Sequence, residues 1–494
     1  AVIVGHYAEA LCFPTASGLK DALEHAVRSL GPGEKSVSIA VLPFANLSAD
    51  KENEYFSDGL AEEILNALTQ VPGLRVIARA SAFAFRGHEH AIAEIREKLR
   101  VTHVLHGSVR RAGSRIRVTA QLIDVSDESQ LWAERYDREM RDVFDIQDEI
   151  AHAIVAQLRL KLGARSGRPL VKRYTENLEA HSLYLKGTYY FHRLTNEEMQ
   201  RGRECLEKAV AMEPLYAPAL YQLADYHVAT AHRGSVSPLD QWPKVRALAT
   251  RALEADPELA EPHAVLGLVD ALADFRWEEA LRGLDDALRL NPASPQSHFW
   301  RSLVLFRRGQ PEEAQAAIGR AVELDPLRAL YLFYSALYYL CLGQPEQAVE
   351  QARRSLEVDP NFPGSLFVMG EACSLLGRHE EGAALIEKAL PVVPAGNFYA
   401  AFLAWIYVRS GRRADTERRR AVLEEKATRQ YIPAATRALM AAALGDPDSA
   451  IALVEDGVRE RDPNLLFTIR TRYFELLHAS PRYHAVLQSM NLRP

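Results

Sequence analysis

The chain has 494 residues, a length that predicts two to four domains of roughly 150 residues unless repeats extend it. Its formal net charge of -6 argues against broad nucleic-acid binding, because that requires a strongly basic surface. The 4 cysteines form no CxxC pair, and no apolar run reaches the roughly 18 residues of a membrane-spanning helix. We therefore expect no metal, no cofactor, no direct nucleic-acid partner and no membrane insertion. We also expect a cytoplasmic chain, with an extracytoplasmic domain of a longer anchored protein as the alternative.

The first part of the chain mixes strand and helix patterns. Residues 1–36 contain one predicted helix, ASGLKDALEHAVRSL, and are otherwise unassigned. VSIAVLPFANL is predicted to be a buried strand, because it is rich in β-branched and apolar residues, and LRVIARASAF is predicted to be a second strand. Two helices are predicted, NEYFSDGLAEEILNALTQV, capped by Ser57 or Asp58, and AIAEIREKLR.

The stretch VTHVLHGSVRRAGSRIRVTAQLIDVSDESQLWAERYD is predicted to form two or three antiparallel strands, with a tight turn at Ala112 and Gly113. DVFDIQDEIAHAIVAQLRLKL follows as a long amphipathic helix. The order βαβαβββα predicts an α/β domain over residues 37–163, with a mixed sheet and helices on one face. Residues 164–177 are the predicted linker to the rest of the chain.

Several arginines flank the predicted turn, namely Arg110, Arg111, Arg115 and Arg117. Guanidinium groups bind phosphate well, so a nucleotide or other small anion is one hypothesis for this hairpin. The alternative is an ordinary solvated hairpin, balanced by acidic residues nearby. The HEH string at 88–90 lacks further ligands, so we predict no metal site there. The sequence has no GxxxxGK[ST], GxGxxG, HExxH or GxSxG string, and we assign no catalytic residue.

The second part of the chain repeats with a fixed period. Glycines spaced 34 residues apart occur at Gly309, Gly343, Gly377, Gly411 and Gly445. Prolines with the same spacing occur at Pro292, Pro326, Pro360 and Pro394. Such a period is typical of helical repeats that stack into a solenoid.

One repeat can be interpreted residue by residue. Ala314, Ile318 and Ala321 lie on one face of a helix that begins near Pro311, where proline suits the first helical turn. Gly309 is predicted to end the preceding helix in a left-handed cap. Each unit is therefore helix, turn, helix, turn, and the small alanines let the paired helices approach closely.

These residues resemble the tetratricopeptide repeat family, in which Ala314, Ile318, Ala321 and Pro326 match the small, apolar and closing positions. The resemblance covers roughly residues 178–478 and implies an all-α superhelical solenoid of about eight helix pairs. Residues 395–428 match weakly, because RRADTERRR stands in place of a good second helix. The tail, residues 479–494, is the predicted C-terminal capping helix.

The strings SIAVLPFANLSADKENEYFSDGLAEEI, HVLHGSVRRAGSRIRVTAQLID and LWAERYDR resemble the TolB-like N-terminal domain. That domain is often joined to tetratricopeptide repeats in bacterial signalling proteins, after a nucleotide cyclase, a protein kinase or a winged-helix module. The resemblance implies a family and no particular reaction.

The first helices of such repeats normally line a concave groove. On the family register, the side chains that point into it are those of Phe299, Phe306, Arg307, Phe333 and Phe367. Aromatic residues with arginine are typical anchors of a protein or peptide partner, and packing between helices is the alternative.

The sequence therefore favours a non-enzymatic scaffold or regulatory protein that binds a protein or peptide partner, or a second copy of itself, through the solenoid. The alternative hypothesis is a nucleotide- or anion-sensing module that controls an attached or partner catalytic or DNA-binding domain. An unrecognised enzyme is a third and weaker interpretation.

Overall fold

The computed structural model describes most of the chain. The described ranges are 37–48, 50, 53–86, 92–158, 170–193, 195–232, 236–389, 398–429, 431–469 and 472–492. The helix predicted within residues 1–36, the HEH string and residues 164–169 of the predicted linker lie outside them. An α/β region, residues 37–158, precedes a long array of helices.

A mixed sheet forms the α/β region. Its strands are β1 (Ser38–Val41), β2 (Ala45–Asn46), β3 (Arg75–Val76), β4 (His103–Ala112), β5 (Arg115–Asp124) and β6 (Gln130–Glu139). The order across the sheet is β3-β1-β4-β5-β6, and β2 also pairs with β4. The pairs of β1 with β3 and β4 are parallel, and those of β5 with β4 and β6 are antiparallel. The predicted tight turn is confirmed, since Ala112 pairs with Arg115 and Gly113 has a φ of 61°.

The helices of this region are α1 (Glu54–Thr69), α2 (Arg79–Phe83), α3 (Ile92–Leu99) and α4 (Val143–Gln157). Helices α1 and α4 pack on the sheet face that includes Ile39, whereas α3 packs on the opposite face, which includes Ala40. The expectation of helices on one face is therefore wrong. Parallel strands need crossover connections, and these place helices on both faces of the sheet.

Two local expectations in this region are also wrong. Ser57 and Asp58 do not cap α1, which begins earlier, at Glu54, and buries both of them in its interior. The predicted strand LRVIARASAF pairs only at Arg75 and Val76, and the chain then turns into α2. The reason is tertiary, because the N–H of Ala78 donates to the carbonyl of Leu324 in the helical array.

Eight helix pairs are described in the array, and we number them as units 1 to 8. Their helices are α5 (Leu178–Phe191), α6 (Asn196–Met212), α7 (Ala217–His232), α8 (Pro238–Ala255), α9 (Ala260–Leu272), α10 (Trp277–Leu290), α11 (Pro295–Arg307), α12 (Pro311–Leu324), α13 (Ala329–Cys341), α14 (Pro345–Val358), α15 (Pro363–Leu375), α16 (His379–Ala389), α17 (Phe398–Arg409), α18 (Arg413–Ala427), α19 (Ala434–Ala443) and α20 (Pro447–Arg459). After them come α21 (Pro463–Thr468), a 3-10 helix (Arg472–Leu477) and α22 (Pro481–Ser489).

The glycines that set the period occupy equivalent turns inside their units. The φ angles are 87° at Gly309, 73° at Gly343, 81° at Gly377, 79° at Gly411 and 70° at Gly445. Glycine adopts this left-handed conformation without the steric cost that a Cβ adds. Phe275 occupies the same turn of unit 3 with a φ of 57°, so an apolar contact compensates for the missing glycine there.

Close packing of paired helices follows the alanine pattern. Ala314, Ile318 and Ala321 are fully buried in α12, as their helical spacing predicts. Helix α18 of the weakly matching unit does form, but it buries only Thr416 and Leu423. Among the described helices, none is both long and apolar enough to cross a membrane.

Candidate functional site: the inner face of the solenoid and its two closures

The α/β region docks on the array at the turn between units 4 and 5. Asp325, which follows α12, accepts hydrogen bonds from the backbone N–H of Ser81, at 2.9 Å, and from the Ser81 hydroxyl. The same hydroxyl accepts from the N–H of Leu327 at 2.7 Å. Burial raises the pKa of Asp325, while the charge of Arg328 and the hydrogen bonds from Ser81 oppose that rise.

A second contact joins the same region to unit 1. A hydrogen bond of 2.9 Å joins the carboxylate of Glu63 in α1 to Nε2 of His181 in α5, and the imidazole is almost fully buried. The hydroxyls of Tyr55 and Ser182 meet at 2.8 Å beside it. The α/β region therefore spans from unit 1 to the turn before unit 5, so it contacts both ends of a half-array of four units.

Ion pairs join α1 to α2 and to Arg86 beside this contact. Arg79 lies 2.9 Å from Glu62 and 3.7 Å from Asp58, and Arg86 also pairs with Asp58. Burial alone would raise the pKa of Glu62, but Arg79 and His192 outweigh it and lower the pKa to about 2. Burial and the charge of Arg79 in turn lower the pKa of His192.

Polar side chains with few partners line the first helices of the early units. Asp225 of α7, Glu261 of α9 and Arg328 before α13 are partly buried, and their side chains form no ion pair among the described residues. Burial raises the pKa of Asp225 to about 7, although the nearby Arg328 charge lowers it. Tyr221 lies near both Asp225 and Glu261, since both carboxylates contribute to raising its pKa after burial. We call these four residues the inner polar set.

The aromatic residues predicted to bind a partner form a row between units. Phe299 lies 5.1 Å from Tyr331, and Phe306 stacks on Tyr338 at 4.6 Å between ring centroids. Further along the row, the ring centroids of Phe333 and Phe362 are 5.9 Å apart and those of Phe367 and Phe402 are 4.0 Å apart.

The burial of these phenylalanines limits the surface that a partner could contact. The exposed fractions of Phe299, Phe333 and Phe367 are 5%, 4% and 1%, and Phe306 is partly buried. In this conformation they pack between helices, which was the alternative interpretation of their pattern. Partner binding through them stays a prediction, and it requires part of the row to become accessible.

Arg307 lies at the end of α11 and is 3% exposed. Its guanidinium donates to the carbonyls of Leu303 at 3.3 Å and Pro463 at 3.2 Å, and its Nε has no partner among the described residues. Burial lowers its pKa. No carboxylate among the described residues forms an ion pair with it, so the two main-chain carbonyls only partly offset the loss of hydration of this buried cation.

The four arginines of the β4–β5 hairpin do not converge on one point. Arg110 is opposite Arg117 in the pair, and Arg111 lies next to Arg110, so its side chain emerges from the other sheet face. Arg115 and Arg117 both pair with Asp137 of β6, each at 2.7 Å, and they lower the pKa of Asp137 to about 2. Anion binding at this hairpin stays a prediction, and two of its four cations already have an acidic partner.

Sequence reasoning missed the contacts between the two parts of the chain. Asp325, His181 and Glu63 are single polar residues within ordinary helix patterns, and nothing in their spacing indicates a distant partner. One signal was available: an Asp or Asn precedes proline at several repeat ends. At two of these ends the acidic residue accepts a hydrogen bond from a residue that precedes the helical array. Asp325 accepts from Ser81, and Asp256 accepts from Tyr174.

No group of three or more His, Cys, Asp and Glu side chains within the described ranges is arranged to hold a metal ion. The site is therefore built from helix faces, a buried cation and packed aromatic rings.

Two family models match this chain. The HilA/YgeH-like transcriptional regulator, second domain, matches residues 34–153, and the tetratricopeptide repeat matches residues 270–328, 303–340 and 335–400. The second match confirms the predicted repeats. The first covers the α/β region in place of the predicted TolB-like domain, which these matches do not confirm.

One curated relative is a putative adenylate cyclase 3 of Rhizobium meliloti (strain 1021). It is 35% identical over 288 residues, which are 56% of this chain and 42% of the relative. The chain thus spans less than half the length of that relative.

Similar solved structures include PilF of Pseudomonas aeruginosa, 17% identical with a TM-score of 0.33, covering 56% of this chain and 99% of that one. A thermophilic tetratricopeptide protein of Thermus thermophilus is 22% identical with a TM-score of 0.33, covering 40% of this chain and 98% of that one. Both TM-scores are low, so the repeat assignment rests on the family model and on the helix pairs. The chain consists of a mixed-sheet region similar to the second domain of HilA/YgeH-like regulators, followed by a tetratricopeptide-type solenoid.

Proposed function

We propose that this chain is a non-enzymatic regulatory scaffold whose solenoid binds a protein or peptide partner and whose α/β region reports that binding. The observation that carries the proposal is the double docking of the α/β region, on unit 1 through Glu63 and His181 and on the turn before unit 5 through Ser81 and Asp325. Stacked units form a curved inner face. We propose that a partner filling this face changes its curvature. Any such change alters the distance between the two docking points.

The inner polar set offers the recognition surface for this proposal. Arg328 lies within electrostatic reach of Asp225, Asp225 and Glu261 both lie near Tyr221, and none of the three ionisable side chains Asp225, Glu261 and Arg328 forms an ion pair among the described residues. Such groups give a partner selectivity, while buried aromatic anchors give affinity. A partner with mixed charge fits this surface better than a purely acidic or purely basic one.

Two similarities support a role in the regulation of an attached effector. The curated relative is named a putative adenylate cyclase and is more than twice as long as the part that this chain matches. The other family match is to a domain of transcriptional regulators. We propose that the effector is a catalytic or DNA-binding module attached to or associated with this chain, in bacterial signalling.

The test is quantitative affinity capture with the full chain as bait. Arg328→Glu reverses the one cation of the inner polar set, and Arg320→Glu is the control, because Arg320 is exposed and, within the described part of the chain, pairs with Glu323 of its own helix. We expect a protein that the wild-type and control baits enrich equally and that Arg328→Glu loses about tenfold. Equal capture by all three baits would reject the inner face as the binding surface.

An anion-sensing role of the α/β region is the second candidate. It is favoured by Arg110 and Arg111, which have no ion-pair partner among the described residues. Thermal-shift measurements with ATP and inorganic phosphate test it. A rise in melting temperature that Arg111→Ala abolishes would support sensing, and no rise with either ligand would reject it.

A further inference from the structure

The end of the chain folds back onto the early units of the array. We call residues 463–492 the closing segment, of which 463–469 and 472–492 are described. It contains α21 of 6 residues, a 3-10 helix of 6 residues and α22 of 9 residues. Helices this short are marginal without tertiary support, so the segment depends on what it packs against.

Its polar contacts with units 3 and 4 involve main-chain carbonyls. Trp277 Nε1 donates to the carbonyl of Met490 at 2.7 Å, and Arg307 donates to the carbonyl of Pro463 at 3.2 Å. In the opposite direction, the side-chain amide of Asn491 donates to the carbonyl of Phe275 at 3.2 Å. A surface that donates hydrogen bonds to carbonyls in this way recognises the peptide backbone more than particular side chains.

The segment also ends the aromatic row. Tyr473 of its 3-10 helix packs on Phe402 at 4.8 Å and on Trp405 at 5.6 Å between ring centroids. Phe402 in turn contacts Phe367, one of the residues predicted to bind a partner. The closing segment therefore covers the row where a partner's aromatic or apolar side chain would enter.

Two features distinguish this contact from a complete core. Arg307 keeps its Nε unpartnered among the described residues, and the loss of hydration of a buried cation is only partly offset by neutral carbonyls. Arg461, just before the segment, has a φ of 55°, an unfavourable conformation for a residue with a Cβ. Strain at the start of the segment and incomplete satisfaction of Arg307 both make release less costly.

We infer that Phe275, Trp277 and Arg307 form a peptide-docking surface that the chain's own closing segment occupies when no partner is bound. Release of the segment exposes the cation, the indole and the end of the aromatic row together. The inference deepens the proposed function, because it names what holds the partner surface in the free protein. A competing partner would supply backbone carbonyls to the same donors.

The test uses full-length chains and a fluorescein-labelled synthetic peptide of residues 461–492 as the probe. Trp277→Phe removes the donor to Met490 and keeps an aromatic ring. Trp242→Phe is the matched control, since Trp242 is 3% exposed and its indole nitrogen has no partner among the described residues. Loss of one buried hydrogen bond corresponds to about tenfold in the opening equilibrium.

Trp277→Phe weakens the surface for the chain's own segment and for the added peptide alike. Its affinity for the labelled peptide should therefore stay near that of the wild type while its closing segment opens about tenfold more often, and Trp242→Phe should match the wild type in both. Hydrogen exchange should rise within residues 463–492 and stay unchanged in units 5 and 6. Asn491→Gly changes the chain's own segment and leaves the surface and the labelled peptide intact; it removes an exposed side chain at a φ of 54°, where glycine is unstrained. This variant should bind the labelled peptide up to about tenfold more tightly than the wild type.

Absence of peptide binding to either variant would overturn the inference, as would exchange that rises equally along the whole array. The latter outcome would make the segment a permanent end cap. Peptide capture needs no outside partner, so its failure leaves the proposed function standing. Failure of the proposed function would appear instead as equal capture by the Arg328→Glu bait while the labelled peptide still binds.

Discussion

Asp325 of the solenoid and Ser81 of the α/β region are joined by two hydrogen bonds to one carboxylate oxygen, from the Ser81 backbone and from its hydroxyl. Both residues are buried, at 3% and 0% exposure. The carboxylate ends one repeat and fixes the start of α2 at the same time. This single residue therefore couples the repeat geometry to the position of the sheet.

Asp325→Ala should lower the free energy of unfolding by about 2–3 kcal/mol, because it leaves two buried donors of Ser81 without an acceptor. Asp359→Ala is the control, since Asp359 ends the next unit but is exposed and its described hydrogen bond is from the local N–H of Asn361. Its cost should stay below about 1 kcal/mol. Urea denaturation of both variants measures the difference, and equal losses would contradict a docking role for Asp325.

Phe367→Ala should destabilise the chain by about 3–5 kcal/mol, because it removes a ring that is 1% exposed and packed against Phe402. Val422→Ala on α18 is the control, since Val422 is 52% exposed, and it should change stability by less than about 0.5 kcal/mol. Denaturation midpoints measure both. A Phe367 variant as stable as the wild type would show that this ring is free to serve a partner.

Gly343→Ala should cost about 1–2 kcal/mol, because residue 343 has a φ of 73° and a Cβ is strained there even though space is available. Gly319→Ala is the matched change inside α12, where an added Cβ meets no atom within 4 Å. It should stabilise the chain by about 0.5–1 kcal/mol. Thermal melting compares the two, and the same sign for both would contradict the role of the turn glycines.

Stability should fall as pH rises from about 4 to about 7 because of Asp225. Its pKa is about 7 in the folded chain and about 3.9 when unfolded, so in this window the folded state binds more protons. The groups facing it are Arg328, which opposes the shift, and Tyr221 and Tyr331, which lie near the carboxyl.

Asp225→Asn should therefore flatten this pH dependence and stabilise the chain at pH 8 by about 1–2 kcal/mol, a value discounted because water partly reaches the carboxyl. Denaturation at pH 5 and pH 8 measures it. Asp286→Asn, on the exposed side of α10, serves as the control and should give similar changes at both pH values. An Asp225 variant with the wild-type slope would exclude this group as the cause.

Asp137→Asn should create an anion site by releasing Arg115 and Arg117 from their shared carboxylate. Inorganic phosphate should then raise the melting temperature of the variant more than that of the wild type, and the effect should fall with salt. Glu128→Gln removes an equal charge from the turn after β5, where no ion pair is described, and should leave the response unchanged. A strong phosphate response already present in the wild type would favour anion sensing in the native chain.

The repeating half of the molecule could be predicted in detail, because each unit is specified by local rules. A glycine such as Gly343 is needed for its left-handed turn and an alanine such as Ala314 for close helix pairing, and both requirements act within one unit. In the α/β region the hairpin at Gly113 could be predicted for the same reason. The start of α1 and the extent of β3 could not, because Asp58 pairs with Arg86 and Ala78 bonds Leu324, which are contacts distant in sequence.

The sequence by itself determined the period, the turns and the alternation of strands and helices, since these depend on the conformational preferences of neighbouring residues. Only the tertiary structure decided that the phenylalanines of the row pack between units, that Arg307 meets the carbonyl of Pro463, and that Ser81 rests on Asp325. The last two contacts join residues more than a hundred positions apart, and their existence depends on the accumulated curvature of several stacked units. No local sequence pattern specifies that accumulated curvature.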